Sequence, residues 1–77
     1  MTGNIFRAIR LRHGVTALEL VTFVQEKYNF ARTVNYIYQI ENDETNDVPE
    51  RWVGYLEAFT GKEIFKRLRE EVEGVKS

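Results

Sequence analysis

Apolar positions recur every three or four residues along almost the whole chain, and no stretch alternates apolar with polar for long enough to make a strand. That spacing predicts five helices and an all-α fold. The first helix runs from about Asn4 to His13, with Phe6 and Ile9 on one face and Gly14 as its stop. The second opens at Thr16-Ala17-Leu18-Glu19, a capping box in which hydroxyl and carboxylate satisfy each other's backbone amides. Leu20, Phe23 and Val24 form its buried stripe, and it fades near Lys27. Residues 28–32 connect it to a third helix that starts at Thr33 and carries Ile37, Ile40 and Glu41 on its inner face.

A polar turn follows from Asn42 to Asp47. The fourth helix opens at Asp47-Val48-Pro49-Glu50, a cap with proline in the first turn, and carries Trp52, Val53, Leu56 and Phe59. Thr60-Gly61-Lys62-Glu63 has the form of a second capping box. It is expected to start a fifth helix over about 61–74, with Ile64, Phe65, Leu68 and Val72 on one side.

Length confines these elements to one domain, 1–77. A chain of 77 residues buries only about 60% of its unfolded surface, so its core is marginal unless the helices pack well or a partner helps. There is no cysteine, which removes disulfides, thiol chemistry and cysteine zinc sites and fits a reducing compartment. No apolar run approaches the roughly 20 residues of a membrane span, and no basic-then-apolar leader opens the chain. The expectation is a cytoplasmic globular domain with no membrane partner.

Charge divides by halves. Residues 1–39 carry five Lys/Arg against two Asp/Glu, whereas residues 40–77 carry six against ten. Such a division can orient a chain toward a polyanion, although ordinary solvated surface also produces it. Catalytic equipment is sparse. His13 is the only histidine and has no convergent partners for a metal site or a proton relay; the end of the first helix suits it electrostatically. The glycines are scattered, so no phosphate loop exists. Asp43, Glu44 and Asp47 lack the spacing and glycine of a calcium loop and read as a solvated turn. Neither an enzyme, a metal nor a cofactor is expected.

The second and third helices can form a helix-turn-helix. With Ile37 inward, a rotation of about 100° per residue places Asn35, Tyr38, Gln39 and Asn42 outward. Asn and Gln can make paired hydrogen bonds to adenine in the major groove, and Val34 and Tyr38 can touch a thymine methyl or pack along the backbone. Polar residues also face out of any surface helix. Lys27 and Arg32 flank the third helix as candidate phosphate contacts.

Several runs carry a resemblance. Phe6-Arg7-Ala8-Ile9-Arg10, followed by Gly14-Val15-Thr16-Ala17-Leu18-Glu19-Leu20, resembles the opening of the lambda-repressor/Cro-type helix-turn-helix domains, the XRE family. Tyr36-Ile37-Tyr38-Gln39-Ile40-Glu41-Asn42 is similar to the end of that family's recognition helix. Val48-Pro49, Glu57-Ala58 and Thr60-Gly61 resemble small phage Cro-like regulators. The resemblance covers about residues 5–61, with the motif at about 16–42. It implies that Thr16 and Thr33 cap the motif helices and that Arg10 pairs with Glu41 beneath the recognition helix. It further implies that Val34, Asn35 and Gln39 read bases, while Thr33 and Asn42 lie near the DNA backbone.

Three features depart from the family pattern. Ala17 stands where the family often has a phosphate-contacting Gln, the 28–32 connector is longer than usual, and the turn after the third helix is acidic rather than basic. The implied function is a DNA-binding transcriptional regulator, repressor-like, that engages double-stranded DNA as a homodimer. Phe65, Leu68 and Val72 are the candidate dimer contact, with packing onto the first and fourth helices as the alternative. A rival reading is a protein-interaction module of the same fold, antitoxin-like or regulator-binding, favoured by the acidic turn and the net charge of −1.

Overall fold

The structure is a computed structural model that describes residues 1–74; the last three positions of the expected 1–77 domain lie outside the described residues. It contains five helices: α1 (Gly3–Arg12), α2 (Ala17–Tyr28), α3 (Val34–Asn42), α4 (Glu50–Thr60) and α5 (Lys62–Glu73). No strand occurs among the described residues. Helix α1 packs against α3 and α5, α2 against α3 and α4, and α4 against α5.

Local chemistry accounts for most boundaries. The Thr2 hydroxyl oxygen accepts from the Ile5 amide at 3.3 Å and starts α1. Gly14, at φ +77°, turns the chain after it. The Thr16 box is complete: its hydroxyl accepts from the Glu19 amide and the Glu19 carboxylate accepts from the Thr16 amide, both at 3.0 Å. Asn29 ends α2 in the left-handed region, which Asn tolerates better than most residues. Thr33 caps α3 through the Tyr36 amide at 3.2 Å.

Two expected caps are not formed. Pro49, rather than Asp47, occupies the N-cap of α4, and no side chain caps that end. The backbone does the work: the Pro49 carbonyl accepts from the Trp52 amide at 2.9 Å, while the Val48 amide donates to the Met1 carbonyl at 2.8 Å. The Thr60 box is also absent. Thr60 is the last residue of α4, buried, and its hydroxyl donates back to the Leu56 carbonyl at 3.0 Å. Gly61 at φ +93° serves both helices at once, donating to the Glu57 carbonyl at 2.8 Å and accepting from the Phe65 amide at 2.9 Å.

The core is the convergence of the predicted stripes. Phe6, Ile9, Leu20, Val24, Ile37, Trp52 and Leu56 are fully enclosed. Phe23, Ile40, Val53 and Phe59 pack half-buried around them. The proposed dimer seam belongs to this same core. Phe65 and Leu68 are 4% and 5% exposed, and Val72 packs half-buried against the cluster. The reason is geometric: α5 lies along α1 and α4, whose apolar faces need covering as much as its own. Phe65 and Leu68 are therefore not available to meet a second copy. Of the fifth-helix stripe, Ile64 alone is exposed.

Candidate nucleic-acid interface

A buried ion pair fixes α3. The Arg10 guanidinium donates from Nε to Glu41 Oε2 at 2.7 Å and from Nη2 to Glu41 Oε1 at 2.9 Å, a two-pronged bond. Its Nη1 donates to the Val15 carbonyl at 2.9 Å. One side chain thus ties α1, the turn before α2, and the last turn of α3. Both side chains are almost wholly buried, so the pair sets where α3 sits and how it is rotated. Gly3 makes the approach possible. Its α-carbon faces the carbonyls of Ile40 and Glu41, and a β-carbon there would collide with backbone that has nowhere to go.

With Ile37 and Glu41 inward, Asn35, Tyr38, Gln39 and Asn42 are exposed together. With Asp43 they line a shallow concavity of about 550 Å³. Those four expected residues are brought to one face. Val34 is not among them; it is half-buried against the core because the first turn of α3 leans on the core there. Thr33 is exposed, but its hydroxyl is engaged as the helix cap. Lys27 does not line that concavity; its ammonium is 5.5 Å from the Phe23 ring and 5.7 Å from Tyr28. Arg32 lies at the start of α3, its guanidinium 4.3 Å from the Phe30 ring and 5.4 Å from Tyr36.

A second, larger groove of about 650 Å³ adjoins the other end of the α3 face. Asn4 and Arg7 of α1, Thr16 and Ala17 at the start of α2, and Tyr38 and Asn42 of α3 line it. Helix geometry leaves the Ala17 and Leu18 amides without partners inside α2. The Glu19 carboxylate already serves that helix end, and its hydrogen bonds from the Thr16 backbone and hydroxyl hold its pKa below the ordinary value. Arg7 is consequently the exposed cation that this flank offers. It went unnoticed in the sequence because only the fold sets α1 beside the C-terminal half of α3. Arg51 likewise carries no signal in the sequence, because only the fold sets the first turn of α4 against Phe30 of the connector.

The acidic turn is highly organised. Asp43 Oδ1 accepts from the Thr45 hydroxyl at 2.8 Å and from the Thr45 and Asn46 amides at 2.9 and 3.1 Å. The Thr45 hydroxyl bond, followed by these amides and the Asn46 side chain, lowers the Asp43 pKa to about 2. The turn is therefore anionic at neutral pH and sits directly after α3. Elsewhere, Leu18, Thr22, Phe23 and Phe59 line an apolar depression edged by Glu19 and Glu26, with Leu18 62% exposed.

His13 closes α1, with its ring edge-on to Phe59 at 6.4 Å. Among the described residues no group of three His, Cys, Asp or Glu is arranged to hold a metal ion, and no helix is long and apolar enough to cross a membrane. The chain matches no protein-family model, and neither curated proteins nor solved structures yield a match.

Proposed function

We propose that this chain is a sequence-specific DNA-binding regulator of the lambda-repressor/Cro type, a binding protein rather than an enzyme. Helices α2 and α3 are the helix-turn-helix and α3 enters the major groove. The observation that carries this reading is the amide-and-hydroxyl face of α3. Asn35, Tyr38, Gln39 and Asn42 share one open concavity, on a helix whose rotation is locked from behind by Arg10 and Glu41. A cation stands near each end of that face, Arg7 at one and Arg32 at the other. Asn35 and Gln39, one turn apart, are the base readers; Arg7 and Arg32 take phosphates. Affinity for a site arises from two copies on two half-sites, joined through a surface other than Phe65 and Leu68.

The test is Gln39→Ala against a preferred duplex and a random one. The variant should stay folded and lose about 1–3 kcal/mol of binding to the preferred site alone. Unchanged preference in a folded variant removes Gln39 from the reading face.

A second reading, a protein-interaction module, draws on the apolar depression at Leu18, Phe23 and Phe59 and on the anionic turn after α3. It predicts no affinity for duplex DNA even at low salt.

A further inference from the structure

The long connector between α2 and α3 places Phe30 against α4, with ring centroids 6.3 Å from Trp52 and 6.2 Å from Tyr55. Two guanidinium groups sit over that one ring. Arg32 Cζ is 4.3 Å from its centroid and Arg51 Cζ, from the first turn of α4, is 4.6 Å. The two charges are therefore no farther apart than the sum of those distances. Both side chains are exposed, and among the described residues neither has a carboxylate within ion-pair distance. Arg32 is steadied further by donating from Nη1 to the Ala31 carbonyl at 3.0 Å.

From this cluster we infer that Arg32, Phe30 and Arg51 form a clamp for the phosphodiester backbone of duplex DNA beside the N-terminal end of α3. The inference rests on the DNA-binding reading above and adds Arg51 and the Phe30 platform to it. Stacking engages the flat face of a guanidinium and leaves its N–H edge free to donate in-plane to phosphate oxygens. It also restricts a long side chain before binding, so less freedom is lost on contact. Two neighbouring cations repel each other, and no carboxylate in the cluster relieves the repulsion. A phosphodiester does. Because the platform is built from the connector and α4, the clamp is set in place by the fold rather than by α3 itself. Arg32 stands two residues before the first residue of α3, whereas Asp43 follows the helix's other end.

The experiment is binding of a labelled random-sequence duplex between 50 and 200 mM salt by fluorescence anisotropy, using the full chain. Wild type, Arg32→Ala, Arg51→Ala, the double variant and Phe30→Leu are compared, with Arg67→Ala on α5 as control. Each phosphate contact contributes about 0.9 to the slope of log affinity against log salt. Arg32→Ala and Arg51→Ala should each lower the slope by about 0.9, the double variant by about 1.8, and Arg67→Ala should leave it unchanged. Phe30→Leu keeps both charges, so it should weaken binding while the slope stays near that of wild type. A wild type that binds steeply, together with an Arg51→Ala variant of equal slope, overturns the clamp and leaves the DNA-binding reading standing. A wild type that does not bind duplex at the lowest salt overturns both.

Discussion

Glu41→Ala removes one half of the pair that locks α3, and the structure sets the size of the effect. Arg10 then keeps its bond to the Val15 carbonyl but loses the two contacts at 2.7 and 2.9 Å that neutralise it. The side chains of Arg10 and Glu41 are only 5% and 1% exposed, so removing the carboxylate leaves a largely buried guanidinium without its counter-charge. Breaking a buried pair from one side costs about 3–5 kcal/mol. At roughly 0.05–0.15 kcal/mol per residue, a domain of this length has only about 4–12 kcal/mol to lose. The variant should therefore be near the edge of folding. Urea denaturation followed by the fluorescence of Trp52, the single tryptophan and a buried one, measures this directly. Arg10→Met combined with Glu41→Leu should lose less than the two single changes added together, because no unpaired charge remains. A loss below about 1 kcal/mol in Glu41→Ala is the behaviour of an exposed pair and would refute the reasoning.

Two further outcomes follow from burial and from the turn. Leu68→Ala should cost about 2–5 kcal/mol in the same denaturation assay, and Leu68→Glu should unfold the chain; a folded Leu68→Glu protein would mean that α5 does not close the core. The Asp43 carboxyl, held at about 2 against an ordinary 3.8, gives the turn stability that is full above about pH 4 and is lost as pH falls through 2. The Thr45 and Asn46 amide resonances should report that midpoint, whereas one near 3.8 would mean that the Asp43 bonds are absent in solution.

Much of this architecture is visible in residue order. The Thr16 and Thr33 caps, the Phe6–Ile9 stripe and the Arg10–Glu41 pair all appear where sequence and family resemblance place them, because each depends on spacing within a helix or on one pair of facing stripes. What fails does so for a tertiary reason. Thr60-Gly61-Lys62-Glu63 has the same local form as the box at Thr16, yet α4 continues through Thr60 because Leu56 and Thr60 are buried together and Gly61 absorbs the turn. A capping pattern states that a helix can begin; it does not state that the previous one has ended. The stripe of Phe65 and Leu68 likewise shows that something covers it, but not that α1 and α4 do. Arg7 lies far from α3 in sequence and Arg51 on the helix after it, and only the packed helices bring them to its two ends. Phe30 reads as an anchor of the connector, but its role under two guanidinium groups depends on α4.

The central claim, that the exposed face of α3 reads duplex DNA, is tested most directly by selecting bound sites from a random duplex pool at moderate salt and repeating the binding at several salt concentrations. The account predicts enrichment of a short motif with adenines at positions read by Asn35 and Gln39. It also predicts half-sites about 10–10.5 base pairs apart and a steep fall of affinity with salt. A pool that enriches no motif, with no duplex bound even at low salt, would contradict it.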